Sequence, residues 1–316
     1  MLTVLLMSAA IAAAPVETQV EIAAPTVTLK ATMLAPASRP RAGVVILPGS
    51  GPTDRDGNNT LGVNGATYRV LAEGLAGEGV ASLRMDKRGL FGSASLAVDP
   101  NAVTVEMLAE DAAAWARDLK TRTGLKCVWL AGHSEGGLVA LIAGGKANDD
   151  ICGLVLISAP GRPLGTVLRE QLQANPANAP VLPQAMHAID ELEAGRKVDV
   201  AGMHPGLLAL FRPQVQDFLI VMFRQDPARL AAGVTKPMLI LQGDADVQVT
   251  VADAAALKAA QPRASMVILG GVNHILRPGT TDRAETRANY AAPSPTLAPG
   301  VVEAIAGFVT SQPGMN

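Results

Sequence analysis

Along the chain, short apolar runs without polar alternation recur at 43–49 (GVVILPG), 80–86 (VASLRMD), 127–132 (CVWLAG), 152–159 (CGLVLISA), 237–243 (PMLILQG) and 265–271 (SMVILGG). Strands that are apolar on both faces are what a parallel sheet covered on both sides requires. Between them the period changes. In TVEMLAEDAAAWARDLKTRTG the apolar positions Leu108, Ala112, Trp115, Ala116 and Leu119 recur every three or four residues, which predicts a helix that stops at Gly124. YRVLAEGLAGEG places Leu71 and Leu75 on one helical face and ends at Gly79. Strand and helix alternate, so the expected fold is α/β with a doubly wound sheet. Upstream, VEIAAPTVTLKATMLAP reads as one or two antiparallel strands leading into that sheet.

Two stretches break the rhythm. From Gly161 to about Gly233, roughly seventy residues separate two sheet strands, where a crossover needs only a dozen or more. The stretch is helical in pattern and is cut by Pro176, Pro180, Pro183, Pro205, Pro213 and Pro227. The expected organisation is a core of residues 15–160 and 234–316 with a helical lid inserted at 161–233. At the N-terminus, MLTVLLMSAAIAAAPV is an apolar run of about a dozen residues ending in Ala-x-Ala sites, the length and ending of a signal peptide over 1–14, although no Lys or Arg precedes it. A periplasmic or secreted location is therefore expected, with a cytoplasmic one as the alternative. No other stretch has the roughly 20 unbroken apolar residues that a membrane span needs.

Composition narrows the partners. With 49% hydrophobic residues in 316, the chain can bury a large core. A net charge of −2 with scattered Lys and Arg offers no basic field for nucleic acid, so a small neutral or weakly charged molecule is the default partner. The two cysteines, Cys127 and Cys152, each open a strand run. Neighbouring strands lie roughly 4.8 Å apart, within reach of a disulfide, but side-chain directions in parallel pairs are often wrong for one. A bridge and two small buried thiols both remain open.

The chemistry starts at AGHSEGG, residues 131–137, between the apolar CVWL and LVALIAGG. A Gly-x-Ser-x-Gly turn between strand and helix is a nucleophile elbow, in which Gly132 and Gly136 leave room for a cramped turn that lifts Ser134 above the sheet edge. A serine nucleophile needs a base, and the chain has four histidines. His133 adjoins Ser134 and should face the other side of the strand, while His187 and His204 fall in the inserted segment. That leaves His274, in GGVNH just past a strand's C-terminal end, where open α/β sheets place their sites. LILQGDADVQV offers Asp244 and Asp246 as the carboxylate that orients the base. For an oxyanion hole, one amide is that of Glu135, after the nucleophile, and the second should come from the glycine-rich loop in ILPGSGPTDRDGNN. A phosphate-binding reading of that loop lacks the Gly-Lys-Ser/Thr it would need.

Five segments, PGSGPTDRDGN, LRMDKRGLFGS, GHSEGG, LQGDADVQV and GGVNHIL, occur in this order over roughly 230 residues. From about Ala42 onward the chain resembles the α/β-hydrolase superfamily, specifically a bacterial branch of serine-aminopeptidase-like hydrolases and carboxylesterases. The resemblance implies an eight-stranded, mostly parallel sheet, a lid over Ser134, and hydrolysis that needs no metal and no cofactor. Gly243, Asp246 and Val249 match the family's Gly-x-x-Asp-x-x-Val run, which makes Asp246 the catalytic acid and Asp244 a turn residue. Pro48-Gly49-Ser50 resembles the His-Gly-x step of many members and nominates the Ser50 amide, with Pro48 standing where histidine is usual.

The expected reaction is cleavage of a carboxylic ester through an acyl-enzyme. Release of N-terminal residues from peptides is the alternative, and a non-catalytic binding protein on the same fold a third reading. Asp86, Lys87 and Arg88 are expected to form structural ion pairs, and Glu135 to pair with Arg55 or lie exposed. Asp190, Glu191 and Glu193 read as a solvated helix face. Leu207, Phe211, Phe218 and Met222 are candidates for an acyl pocket, although most apolar residues of that stretch must pack the lid.

Overall fold

A computed structural model describes residues 14–60, 62–293 and 296–312. The signal peptide expected over 1–14 lies, but for its last residue, outside the described residues. Strands β1 (Val16–Ala24) and β2 (Val27–Ala35) form an antiparallel hairpin. Then β3 (Ala42–Leu47), α1 (Thr67–Gly77), β4 (Val80–Met85), α2 (Val105–Thr123), β5 (Val128–His133), α3 (Glu135–Gly144) and β6 (Ile151–Ile157) alternate strand with helix. Helices α4 (Leu164–Gln173), α5 (Leu182–Glu193), α6 (Pro205–Phe211), α7 (Pro213–Phe223) and α8 (Pro227–Gly233) follow, before β7 (Met238–Gly243), α9 (Val251–Ala260), β8 (Ser265–Leu269), α10 (Arg283–Ala291) and α11 (Val301–Ser311).

The strands form one eight-stranded sheet in the order β1-β2-β4-β3-β5-β6-β7-β8, parallel from β4 onward. Strands β3 to β7 are buried along their whole length because alternate residues enter two cores. Val45, Leu47, Leu130 and Leu156 pack with α2 and α3, while Val44, Ile46, Trp129 and Ile157 pack with α1 and α11. Helix α2 starts where Thr104 accepts from Met107 N and stops at Gly124, at φ 67°. Strands β1, β2 and β8 depart from the doubly covered pattern, β1 being mostly exposed and β2 alternating. Being at the sheet edge, β8 leaves Met266 and Ile268 about 40% exposed.

The register aligns the strand ends. Leu47 pairs with Gly132, His133 with Ile157 and Ile157 with Leu241, so the loops after β3, β5, β7 and β8 leave from one edge. In the segment between β6 and β7 three of the prolines start helices rather than interrupt them. Pro205, Pro213 and Pro227 each open a helix, where the missing N–H is no loss. Helices α4 to α7 bury Leu172, Ile189, Leu192, Leu207 and Phe211 among themselves, whereas Ala231 of α8 joins the core of the sheet. Among the described residues no single helix is long and apolar enough to cross a membrane.

Cys127 and Cys152 are bridged, with Cα atoms 5.1 Å apart. The register explains how parallel neighbours manage this. Val128 pairs with Ile151 but Trp129 with Gly153, so Cys152 is an extra residue that bulges from β6. Both sulfurs thereby come to the face that holds Trp129. The bridge closes a 25-residue separation. Cys127→Ser combined with Cys152→Ser is expected to lower the unfolding free energy by about 3 kcal/mol in denaturant titrations without reductant. Two alkylatable thiols in the untreated protein would contradict the bridge.

Candidate active site

Past β5 the chain reverses at a single residue. Ser134 has φ 53° and ψ −122°, a conformation that non-glycine residues avoid. Its amide donates to Ile157 O and its carbonyl accepts from Gly137 N, both at 2.9 Å. The flanking glycines are required by contact. A Cβ on Gly132 would lie 2.1 Å from Gly136 O, and one on Gly136 would lie 2.4 Å from Leu47 O. Helix α3 therefore begins directly at Glu135, whose amide is among the first-turn N–H groups that have no partner within the helix.

Asp246 and His274 meet behind this turn. His274 Nδ1 lies 2.7 Å from Asp246 Oδ2, and Asp246 Oδ1 accepts from Gln248 N at 2.8 Å and Val249 N at 2.9 Å. Burial works to raise the Asp246 pKa, but the His274 ring and these amides outweigh it and hold the carboxyl below its ordinary value. Asp244 faces elsewhere, accepting from Gly271 N at 2.6 Å. The His274 loop is fixed from within, since Asn273 Oδ1 accepts from Ile275 N and Arg277 N at 3.1 Å each. With Nδ1 donating to the carboxylate, His274 keeps Nε2 as a proton acceptor. No hydrogen bond joins it to Ser134 Oγ, and such bonds are often long until a substrate is bound.

His133 cannot serve as the base. Its Nε2 lies 2.8 Å from His274 O, which can only accept, so Nε2 carries the proton. Nδ1 then accepts from Tyr68 Oη at 2.8 Å, and Tyr68 Oη accepts from Gly49 N at 2.9 Å. The result is a buried chain of three hydrogen bonds from the loop after β3 to the backbone of His274. The remaining histidines are surface groups: His187 is exposed on α5, and His204 caps α6 through Gly206 N.

The loop after β3 lies against the elbow. A Cβ on Gly49 would be 3.3 Å from that of Ser134. Lys87 Nζ donates to Gly49 O at 2.7 Å and to Glu135 Oε1 at 3.3 Å. Glu135 is thus buried and paired with Lys87, correcting the expectation that it pairs with Arg55 or lies exposed. Arg55 belongs instead to Asp86, at 2.5 Å, and Arg88 pairs with Asp111.

A model of the alpha/beta hydrolase family matches residues 44–288, a span that holds Ser134, Asp246 and His274. The chain belongs to the alpha/beta hydrolase family. Esterase EstD of Thermotoga maritima is 32% identical over 246 residues, which are 77% of this chain and 56% of that protein. The chain thus spans little more than half the length of that relative. Among solved structures, Est1E from Butyrivibrio proteoclasticus with ferulic acid bound is 18% identical with a TM-score of 0.58, covering 92% of this chain and 96% of that one. The esterase domain of a Rhodothermus marinus protein is 21% identical with a TM-score of 0.56, covering 93% and 98%. At such identities these two structures speak for the fold.

Within this hydrolase fold three of the four candidate pocket residues are packed into cores. Leu207 and Phe211 are buried in the cluster of the inserted helices, and Met222 in the core of the sheet. Their size and apolarity suit either role, and only the contacts separate the two. Phe218 is half-buried and packs against the core of the sheet. Tyr68 and the contact of Lys87 with Glu135 are site features that no local pattern announces, because their partners lie elsewhere in the chain. Gln242, whose Nε2 lies 3.3 Å from Asp246, sits inside the LQGDADVQV segment, whose pattern assigns it no role.

Burial, then the neighbouring His274 charge, depresses the His133 pKa from 6.5 to about 3. Between these values the unfolded chain binds a proton that the folded chain refuses. Stability contributed by His133 is therefore present above pH 6.5 and lost as pH falls towards about 3, by up to about 1.4 kcal/mol per pH unit. Asp246, also depressed, adds a loss in the same direction at lower pH. Denaturant titrations from about pH 7 to about pH 4.5 are expected to show this slope and its flattening in His133→Gln. An unchanged slope in the variant would assign the acid lability to other groups.

Proposed function

We propose that the chain is a serine hydrolase that cleaves a carboxylic ester through Ser134, His274 and Asp246. The observation that carries this reading is the 2.7 Å pairing of Asp246 with His274 at the same sheet edge as the strained Ser134 turn. His274 Nε2 takes the hydroxyl proton as Ser134 Oγ attacks the carbonyl, and the Asp246 carboxylate stabilises the imidazolium. The amides of Ser50 and Glu135 hold the oxyanion. The alcohol leaves with the proton from His274, and water then cleaves the acyl-enzyme by the reverse relay.

An ester fits better than a peptide. Recognition of a free α-amine in a partly dry site needs an available carboxylate. The acidic residues of α5 are engaged: Asp190 and Glu193 hold Arg169 at 2.5 and 2.7 Å, and Glu191 holds Arg196 at 2.7 Å. The name of the 32% identical relative, an esterase, supports the same class. The Cys127–Cys152 bridge favours an oxidising compartment, so periplasmic or secreted material is proposed as the working form.

Ser134→Ala and His274→Ala are each expected to reduce p-nitrophenyl ester hydrolysis by at least about a thousandfold while far-UV circular dichroism is unchanged. Asp246→Asn should be severe and Asp244→Asn mild, and the reverse order would move the acid to Asp244. Neutral short-to-medium nitrophenyl esters are expected to exceed alanine nitroanilide in kcat/KM by at least about a hundredfold, or roughly 2.7 kcal/mol. An N-acetylated nitroanilide serves as control. If the free-amine anilide outruns it by a similar factor, the amine is recognised and the peptidase reading replaces this one.

A further inference from the structure

Lys87 follows β4 and is buried, its side chain 9% exposed. A lone buried ammonium is costly, and one paired only for stability is often replaceable by apolar residues. Both partners of Lys87, however, adjoin the proposed oxyanion donors. One is Gly49 O, at 2.7 Å. This carbonyl and the Ser50 N–H are two ends of a single trans peptide and point in opposite directions. Fixing the carbonyl therefore fixes the amide. The other partner is the side chain of Glu135, at 3.3 Å, whose own N–H is the second donor.

Gly49 needs such fixing. Lacking a Cβ, it resists rotation of its flanking peptides less than any other residue. A flipped Gly49–Ser50 peptide would turn a carbonyl towards the oxyanion and the N–H away. Tyr68 holds the N–H of Gly49 at 2.9 Å, which anchors the preceding peptide. Lys87 anchors the following one. Its charge also polarises that peptide, drawing electron density to Gly49 O and making the Ser50 N–H a stronger donor. Lys87 and Glu135 share a small cavity with Leu47, Met85, Leu108 and Val139, and with both side chains 9% exposed the effect is little screened by water.

We infer that Lys87 is a positioning residue for the oxyanion site: it holds and polarises the Gly49–Ser50 peptide so that the Ser50 N–H meets the developing negative charge. The inference rests on the serine-hydrolase reading. A purely structural ion pair would alter stability alone. A positioning residue alters the transition state and leaves ground-state binding largely untouched.

The test compares wild type, Lys87→Met, and Lys87→Met combined with Glu135→Gln, which removes both charges and leaves no unpaired buried carboxylate. Measured for each are kcat and KM on a p-nitrophenyl ester and the inhibition constant of a trifluoromethyl ketone, whose serine adduct carries an oxyanion. Both variants are expected to lose about 10- to 100-fold in kcat with KM within about threefold, and ketone affinity should fall in step. Should the single variant fail to fold, the charge-neutral double variant carries the same expectation. Wild-type kcat in the folded double variant, or a kcat loss with unchanged ketone affinity, overturns the inference. Fluorophosphonate labelling of Ser134 separates it from the reading beneath it. A wild type that takes up no probe removes both, whereas a reactive wild type with fully active Lys87 variants removes this inference alone.

Discussion

The close approach of backbone to backbone around the Ser134 turn constrains everything else at this edge of the sheet. Gly136 sits where its Cβ would meet Leu47 O, Gly132 where its Cβ would meet Gly136 O, and Gly137 where its Cβ would lie 2.3 Å from that of Ala159. Helix α3 is therefore seated directly on the ends of β3, β5 and β6. That seating forces Ser134 to a positive φ and starts the first turn of α3, with its free amides, at the very next residue. A residue in such a conformation costs about 1–3 kcal/mol and persists only because its surroundings over-determine it. Here they do: Leu138, Leu141, Leu130 and Leu156 fix α3 against the sheet in one core.

A second layer of order comes from three consecutive charged residues after β4. Asp86 reaches Arg55 in the loop after β3, Lys87 reaches Gly49 and Glu135, and Arg88 reaches Asp111 on α2. Each is nearly or fully buried with its partner, so the gain over apolar packing is small and the geometric demand is high. Alternation along the chain sends neighbours in different directions, which lets one short segment tie three separate elements together. The loop after β3 gains a fixed shape this way despite its glycines.

Electrostatics at the site divide two adjacent histidines by environment. The His133 and His274 rings lie 4.8 Å apart. His133 is kept neutral by burial, with both nitrogens committed to Tyr68 and His274 O. In the proposed reaction, a neutral neighbour adds no like-charge repulsion when the His274 ring receives the serine proton, and the Asp246 carboxylate faces that ring from the other side. The same enclosure keeps the phenol of Tyr68 protonated, because burial raises its pKa.

Much of this was legible in the sequence, and for a physical reason. Apolar runs without alternation mark strands buried on two faces, and the helix period of α2 and its Gly124 stop are local properties of the chain. The Gly-x-Ser-x-Gly turn and the Asp246 and His274 loops are equally local, since each follows a strand within a few residues. Relations between distant segments belong to the tertiary structure. Nothing near Glu135 in the sequence says that its partner is Lys87, 48 residues away, rather than Arg55. Whether Cys127 and Cys152 could bridge depended on a single bulged residue in β6, which no composition reveals. Leu207, Phe211 and Met222 have the chemistry of a pocket wall and of a core alike. Hydrophobic character determines that such side chains leave water, but only the packing of the helices decides what they touch.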